Sequence, residues 1–436
     1  MSALPAKLDC VEKSLAQVRP WAWRGRVREV SAGLIESDGP PCAIGECCEV
    51  VGREARYAAE VIAVRGERCL AMPLESSAGV RVGDEVVAGR GMPTVAMSEA
   101  SLGRVFHASG RPMDGGAPAL GEPQPLIAAP RAAMERLPIR EPLSTGVRVI
   151  DGVLTVGRGQ RVGIFGGSGV GKSTLLGMMT KHTSADLTIL GLVGERGREV
   201  REFLEDTLGE EGRARAAMYV STSNESPVLR MRAALMATAA AEWFASRGKH
   251  VLLVLDSLTR YAMAARELGL ASGEPPTSKG YTPSVFSRLA QLVERAGNFD
   301  YGSITAFYTV LMEGDDQQDP IVDAVRSFVD GHIVLSRELA AEGQYPPVQV
   351  LDSLSRLMPS VTCAEHRAAA AKVRRWLAAH DRARDLLRMG AYVPGSDEET
   401  DEALRRLPAI RSFLAQSASE WSTVESARTA LEEVVA

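Results

Sequence analysis

Gly166 to Thr174 reads GGSGVGKST. The run satisfies the phosphate-loop pattern G-x-x-x-x-G-K-[ST], with Gly166, Gly171, Lys172 and Ser173 at the fixed positions. Its flanks agree with the pattern. Arg161 to Phe165 (RVGIF) is a short apolar run with β-branched content and predicts a buried strand, while Leu175 to Met179 continues as helix. Strand, glycine loop and helix together aim backbone N–H groups and a helix N-terminus at a phosphate. In such a loop Lys172 reaches the β- and γ-phosphates and the Ser173 hydroxyl holds Mg²⁺. The plainer reading is a glycine-rich turn without a ligand, which explains neither the lysine nor the flanks.

Downstream of this loop, strands alternate with helices. Leu187–Val193, Ala216–Ser221, Val251–Asp256, Ser303–Leu311 and His332–Leu335 read as strands, with helices at Val228–Ser246 and Ser284–Ala296. The alternation predicts an α/β, doubly wound, mostly parallel sheet. Ligands in such sheets bind beyond the carboxyl ends of the strands. Asp256 ends the apolar run HVLLVLD, a usual place for a carboxylate behind Mg²⁺. Glu195 and Arg196 (GER) follow the strand Leu187–Val193. Glu195 is placed to orient or deprotonate a water and Arg196 to neutralise charge. The alternative is a solvated loop acid beside its surface partner, and position alone leaves the two readings open.

Upstream, Trp23 to Val95 breaks into short β segments (Arg26–Val30, Glu46–Val51, Ala58–Val64, Cys69–Pro73, Asp84–Ala88) separated by Gly and Pro, which predicts a small barrel or sandwich. Met97 to Pro142, rich in Gly and Pro, is expected to wrap the next domain. At the N-terminus Leu4, Leu8, Val11, Leu15 and Val18 form one narrow helical stripe. It serves either its own domain or a partner helix. Beyond Met358 the strand signals stop, and Thr362–Met389, Glu398–Gln416 and Val424–Val434 read as a helical C-terminal domain. The expected domains are therefore an arm over 1–20, a β-barrel over 21–95, a nucleotide domain over 96–358 and a helical domain over 359–436.

Composition restricts the function. The 436 residues carry a net charge of −5, with pI near 5.9, which argues against a dedicated nucleic-acid binder. No basic segment followed by an apolar core opens the chain, so no signal peptide is expected. The apolar stretch Ala233–Ala241 is short, Ala-rich and bounded by Arg232 and Glu242, unlike a membrane span. The spacing of Cys42, Cys47, Cys48 and Cys69 fits no standard zinc knuckle. Reduced, partly buried strand cysteines in a cytosolic protein are the better reading.

Several segments carry a family resemblance. They are TGVRVIDGVLTVGRGQR (145–161), the phosphate loop, GLVGERGREVREF (191–203), DSLTRYAMAARELGLASGEPP (256–276), GYTPSVFSRL (280–289), GSITAFYTVLMEGDDQQDP (302–320) and DGHIVLSRELA (330–340). Together the chain resembles the ATPases of type III protein export, flagellar and injectisome, which are related to the catalytic subunits of rotary ATP synthases. The likeness spans roughly residues 20 to 420. It implies a RecA-like nucleotide domain between the barrel and the helical domain, and ATP and Mg²⁺ as ligands. It also implies nucleotide contacts from Gly166, Gly167, Ser168, Gly169, Val170, Gly171, Lys172, Ser173 and Thr174, with metal contacts from Ser173 and Asp256. By the same resemblance Glu195 is the catalytic carboxylate, and Lys172, Arg196 and Arg260 support the phosphates. Arg356, in LDSLSRLM, points into the neighbouring subunit's site, and Tyr345 and Tyr392 pack around adenine.

The family further implies a homohexamer, a regulator at the N-terminal arm, a coiled-coil stalk protein in the pore and export chaperone–substrate complexes at the C-terminal domain. It implies a cytoplasmic enzyme associated peripherally with the inner-membrane export gate. The wording EGDDQQDP leans to the flagellar branch. The rival readings are a catalytic subunit of a rotary ATP synthase, a RecA-like RNA ring helicase and a nucleotide-bound scaffold.

Overall fold

The computed structural model describes residues 22–31, 33–89, 91–312 and 318–436. The N-terminal stripe and most of EGDDQQDP lie outside them. The chain divides into two compact units, Met1–Pro93 and Thr94–Ala436.

The first unit is a closed six-stranded barrel. Its strands are β1 (Arg24–Ser31), β2 (Leu34–Asp38), β3 (Cys47–Val51), β4 (Arg56–Arg65), β5 (Arg68–Pro73) and β6 (Glu85–Ala88). They pair in the order β1-β2-β5-β4-β3-β6, and β6 closes onto β1. Alternate residues face inward, as period-two patterning requires. Val27, Ile35, Val50, Val61, Ala71 and Val86 fill the interior together with Cys48 and Cys69. Burial pushes the Cys48 thiol up to about 12 and the Cys42 thiol to about 11, so neither is a ready nucleophile. Strand β2 had no counterpart in the sequence reading, because LIESD between two turns carries only one strongly apolar inward residue, Ile35.

The second unit is built on a nine-stranded, largely parallel sheet. Its main strands are β7 (Val105–His107), β8 (Arg161–Gly166), β9 (Leu187–Glu195), β10 (Ala216–Thr222), β11 (His250–Asp256), β12 (Ser303–Leu311), β13 (Gly331–Val334) and β14 (Leu354–Ser355). They run β14-β13-β8-β12-β11-β9-β10-β7. Seven of them are parallel, and β14 is an antiparallel edge. The central strands are buried on both faces, so they read as continuous apolar runs. Strand β7 lies inside the expected wrapping segment. Its three residues are too few to show a period.

Helices α1 (Arg148–Val153), α2 (Lys172–His182), α3 (Pro227–Ala245), α4 (Leu258–Ala271), α5 (Pro283–Val293) and α6 (Pro320–Phe328) belong to this unit. So do α7 (Arg337–Ala341), α8 (Ala364–Arg388), α9 (Glu398–Leu414) and α10 (Val424–Val435). Helix α3 is buried nearly all round, whereas α8 buries one stripe: Ala369, Val373, Trp376, Ala379 and Ala383. Trp376, Phe413 and Leu431 share one apolar core with Ile164 and Leu190 of the sheet. The C-terminal helices are thus part of the same compact unit as the sheet. No helix among the described residues is long and apolar enough to cross a membrane.

Candidate active site

Strand β8 ends at Gly166, and α2 begins at Lys172. Between them the backbone takes positive φ at Gly169 (+79°) and Gly171 (+85°). An L side chain rarely adopts that conformation, which is why these two positions are glycine. Ser168, Gly169, Ser173 and Thr174 are exposed at the carboxyl edge of the sheet, while Val170 is buried and anchors the loop. A Cβ added to Gly171 would lie 3.3 Å from Cε1 of Tyr345, so the tyrosine ring sits against the last loop glycine.

Lys172 reaches inward. Its Nζ donates to Oδ1 of Asp256 at 2.7 Å, and the same oxygen accepts from Thr309 Oγ1 at 2.6 Å. Asp256 is almost fully buried. A buried carboxylate survives only with charged and hydrogen-bonded partners, and it has both. The sequence offers little to single out Thr309, since its strand also carries Ser303 and Thr305; only its place near the carboxyl end sets it apart.

Glu195 stands at the end of β9, with β12 and β11 lying between that strand and β8. Its Oε1 accepts from Arg260 Nε at 3.2 Å. Gly194, at φ +68°, turns the chain just before it, and a Cβ there would press on Arg260 Cδ at 3.0 Å. Burial raises the Glu195 carboxyl to about 7, and the Asp256 charge adds to that; Arg260 and Lys172 pull the other way. A carboxylate poised near neutrality is suited to taking and releasing a proton. Behind it, Ser223 N–H donates to the Glu195 carbonyl (3.0 Å). Glu225 in the same turn accepts from Ser221 and meets His107 Nε2 at 2.7 Å. The His107 contact has no local signal, because β7 is only three residues long.

The remaining residues fall elsewhere. Arg196 is exposed and pairs with Glu199 at 3.3 Å. Arg356 is exposed just after β14, its N–H bonded to the Asp330 carbonyl. Because Ser355 pairs with Gly331 at the start of β13, Arg356 lies at the end of the parallel sheet opposite the phosphate loop. Tyr392 is a correction. Its hydroxyl is taken up by Asp397 and Asp401, at the start of α9. The segment that meets Tyr345 begins at Gln416, whose N–H donates to the Tyr345 carbonyl at 2.8 Å, beyond the other end of α9. A helix of 17 residues is about 25 Å long, so Tyr392 and Tyr345 do not share a pocket. Gln416 also donates to the Gly146 and Glu420 carbonyls and accepts from the Arg148 N–H, which fixes this segment on α1.

Known proteins resemble this chain along most of its length. Residues 146–355 match the ATP synthase alpha/beta family, nucleotide-binding domain, and residues 27–88 match that family's beta-barrel domain. Residues 362–433 match the T3SS EscN ATPase C-terminal domain. The flagellum-specific ATP synthase of Pseudomonas aeruginosa is 47% identical, over 94% of this chain and 93% of its own length. The SPI-2 type 3 secretion system ATPase of Salmonella typhimurium is 49% identical, over 91% of each. The assembled ATPase EscN of the enteropathogenic E. coli type III secretion system superposes with a TM-score of 0.88 at 43% identity, over 94% of this chain and all of its own. EscN in complex with its central stalk EscO gives a TM-score of 0.87 at 42% identity, with the same coverage.

Proposed function

We propose, because this chain belongs to the type III export ATPases of the ATP synthase alpha/beta family, that it hydrolyses ATP as a hexameric ring to energise export of unfolded protein. It is an ATPase, and its family membership ties that activity to type III export. The observation that carries the catalytic reading is the cluster at the carboxyl ends of β8, β11 and β9. There Lys172 bonds Asp256, Arg260 bonds Glu195, and the Lys172 and Asp256 charges act on Glu195, which supports reading the adjoining loop as the phosphate site.

In this reading, backbone N–H groups of residues 167–173 cradle the phosphates and Lys172 leaves Asp256 for the β- and γ-oxygens. Ser173 and Asp256 offer a hydroxyl and a carboxylate, hard oxygen donors of the kind Mg²⁺ takes. The metal would supply positive charge beside the phosphates. Glu195 accepts a proton from the attacking water while the new P–O bond forms and the bond to ADP breaks. Arg260 holds the Glu195 carboxylate in place. Arg196 joins the phosphate side by exchanging Glu199 for it. Tyr345 and the segment from Gln416 flank the adenine.

The match of residues 362–433 to a type III ATPase C-terminal domain favours export over a rotary synthase subunit. Flagellar and injectisome relatives are about equally similar, so the flagellar assignment rests on the wording EGDDQQDP. EscN, solved assembled and with a central stalk, supports a ring and a stalk partner for this chain too. A regulator at the N-terminal arm, chaperone–substrate complexes at the C-terminal helices and an export gate complete the proposed partners.

Replacing Lys172 by Ala tests the reading directly: ATP turnover surviving in that variant would sink it. The pH profile gives a second test. Glu195 must be deprotonated to act as a base, so kcat/KM should rise as pH increases through about 7. Arg260 lowers the Glu195 value, so Arg260→Ala should move this limb to higher pH. A limb that stays put or moves down would remove Glu195 as its origin.

A further inference from the structure

Three glycines of the phosphate loop are each covered by one residue from the stretch that follows β13. A Cβ on Gly166 would meet Leu335 Cβ at 3.0 Å, and one on Gly171 would meet the Tyr345 ring at 3.3 Å. One on Gly167 would meet Nη2, Nε and Cζ of Arg337 at 2.3, 2.6 and 2.8 Å. The Arg337 guanidinium therefore occupies the space a side chain would need. Gly167 is buried although the next two residues, Ser168 and Gly169, are exposed. Gly167 is not among the positive-φ glycines, so its conformation does not call for glycine. An alanine there would need only the far end of Arg337 to move aside, so such a substitution reports on that contact rather than on the backbone.

The base of Arg337 is firmly held. Leu335 N–H donates to the Phe165 carbonyl at 2.7 Å and Ser336 N–H to the Pro347 carbonyl at 2.9 Å. Ser336 Oγ caps α7 by accepting from Leu339 N–H. Next in sequence, Glu338 reaches Arg388 (3.2 Å) and Arg384 (3.5 Å) on α8. A side chain launched from so fixed a backbone can act as a stop for the loop it touches.

We propose that Arg337 is a positioning residue for ATP, its guanidinium resting on Gly167 to hold the phosphate loop in its cradling shape and to place a permanent positive charge behind it. This rests on the loop being the phosphate site. Arginine suits the task because its flat, always charged head fills the gap over a glycine, which a lysine ammonium does not.

The test is a double-mutant cycle on the full-length protein. Arg337→Ala removes the guanidinium, and Gly167→Ala pushes it aside. Each should raise the KM for MgATP about tenfold, and Arg337→Ala should leave kcat within about twofold. The double variant should do no more than the worse single, because both changes remove the same contact. Arg337→Lys should recover only part of the affinity. Inhibition by inorganic tripolyphosphate, which has no base, should weaken by the same factor as ATP binding. A wild-type KM in Arg337→Ala, effects that multiply in the double variant, or tripolyphosphate inhibition left intact would each overturn the proposal. If Arg337→Ala does not fold, Gly167→Ala and Arg337→Lys still decide it by the same KM and tripolyphosphate measurements. Lys172→Ala keeps the two readings apart. If it is inactive while Arg337→Ala is normal, only the role of Arg337 falls; if it still turns over, the phosphate-site reading falls with it.

Discussion

Glu195→Gln is expected to bind MgATP as the parent enzyme does and to turn it over at least about a hundredfold more slowly, the usual loss when a general base is removed. The amide keeps the shape of the carboxylate and still offers an oxygen to Arg260 Nε, so the loop after β9 should stay in place. It cannot take a proton from water. Removing the charge also relieves the repulsion from Asp256. ATP affinity should therefore hold or rise slightly. Equilibrium binding of a fluorescent ATP analogue and steady-state phosphate release measure the two quantities separately. Turnover near the parent value would show that Glu195 is only a solvated loop acid. Lost binding would show that the change had disturbed the site rather than its chemistry.

Much of this site could be read from the chain because its parts are local. Gly166 to Ser173 is a contiguous motif, and Asp256 closes a strand whose apolar run is visible by eye. The boundaries of β11 and β12 came within a residue of expectation, since strands buried on both faces advertise themselves as unbroken apolar runs. What stayed hidden depends on pairing between distant segments. Nothing in VFH announces that β7 joins the sheet edge and carries His107 to Glu225. Nothing in AQSAS announces that Gln416 meets Tyr345, because that contact is backbone to backbone and needs only an N–H and a carbonyl. The resemblance puts Tyr392 beside adenine, but α9 carries the chain the length of a 17-residue helix between it and the segment that meets Tyr345. The insertion of β12 and β11 between β8 and β9 is likewise topology, set by crossovers rather than by any local signal.

Arg356→Ala is expected to bind ATP and yet be nearly inactive, with a loss of about 10³–10⁵ in rate if it acts as a trans arginine on the transferring phosphoryl group. The fold explains why the arginine would have to act on a neighbour. It follows the edge strand β14, is exposed, and sits at the amino end of β13, across the sheet from its own phosphate loop. No rotamer of one side chain spans a sheet end to end, since β8 alone runs six residues at about 3.3 Å each. A neighbouring subunit presenting its own loop to that edge removes the difficulty. Mixing two dead proteins tests this. Arg356→Ala keeps Glu195, and Glu195→Gln keeps Arg356. In a mixed ring some interfaces bring an intact Glu195 from one subunit against an intact Arg356 from the next. Those composite sites should hydrolyse ATP, so activity should return under conditions that let subunits exchange, and it should track the fraction of mixed rings measured by native mass spectrometry. If mixed rings form and the preparation stays inactive, Arg356 does not complete a neighbour's site, and the case for hydrolysis across subunit interfaces loses its main residue.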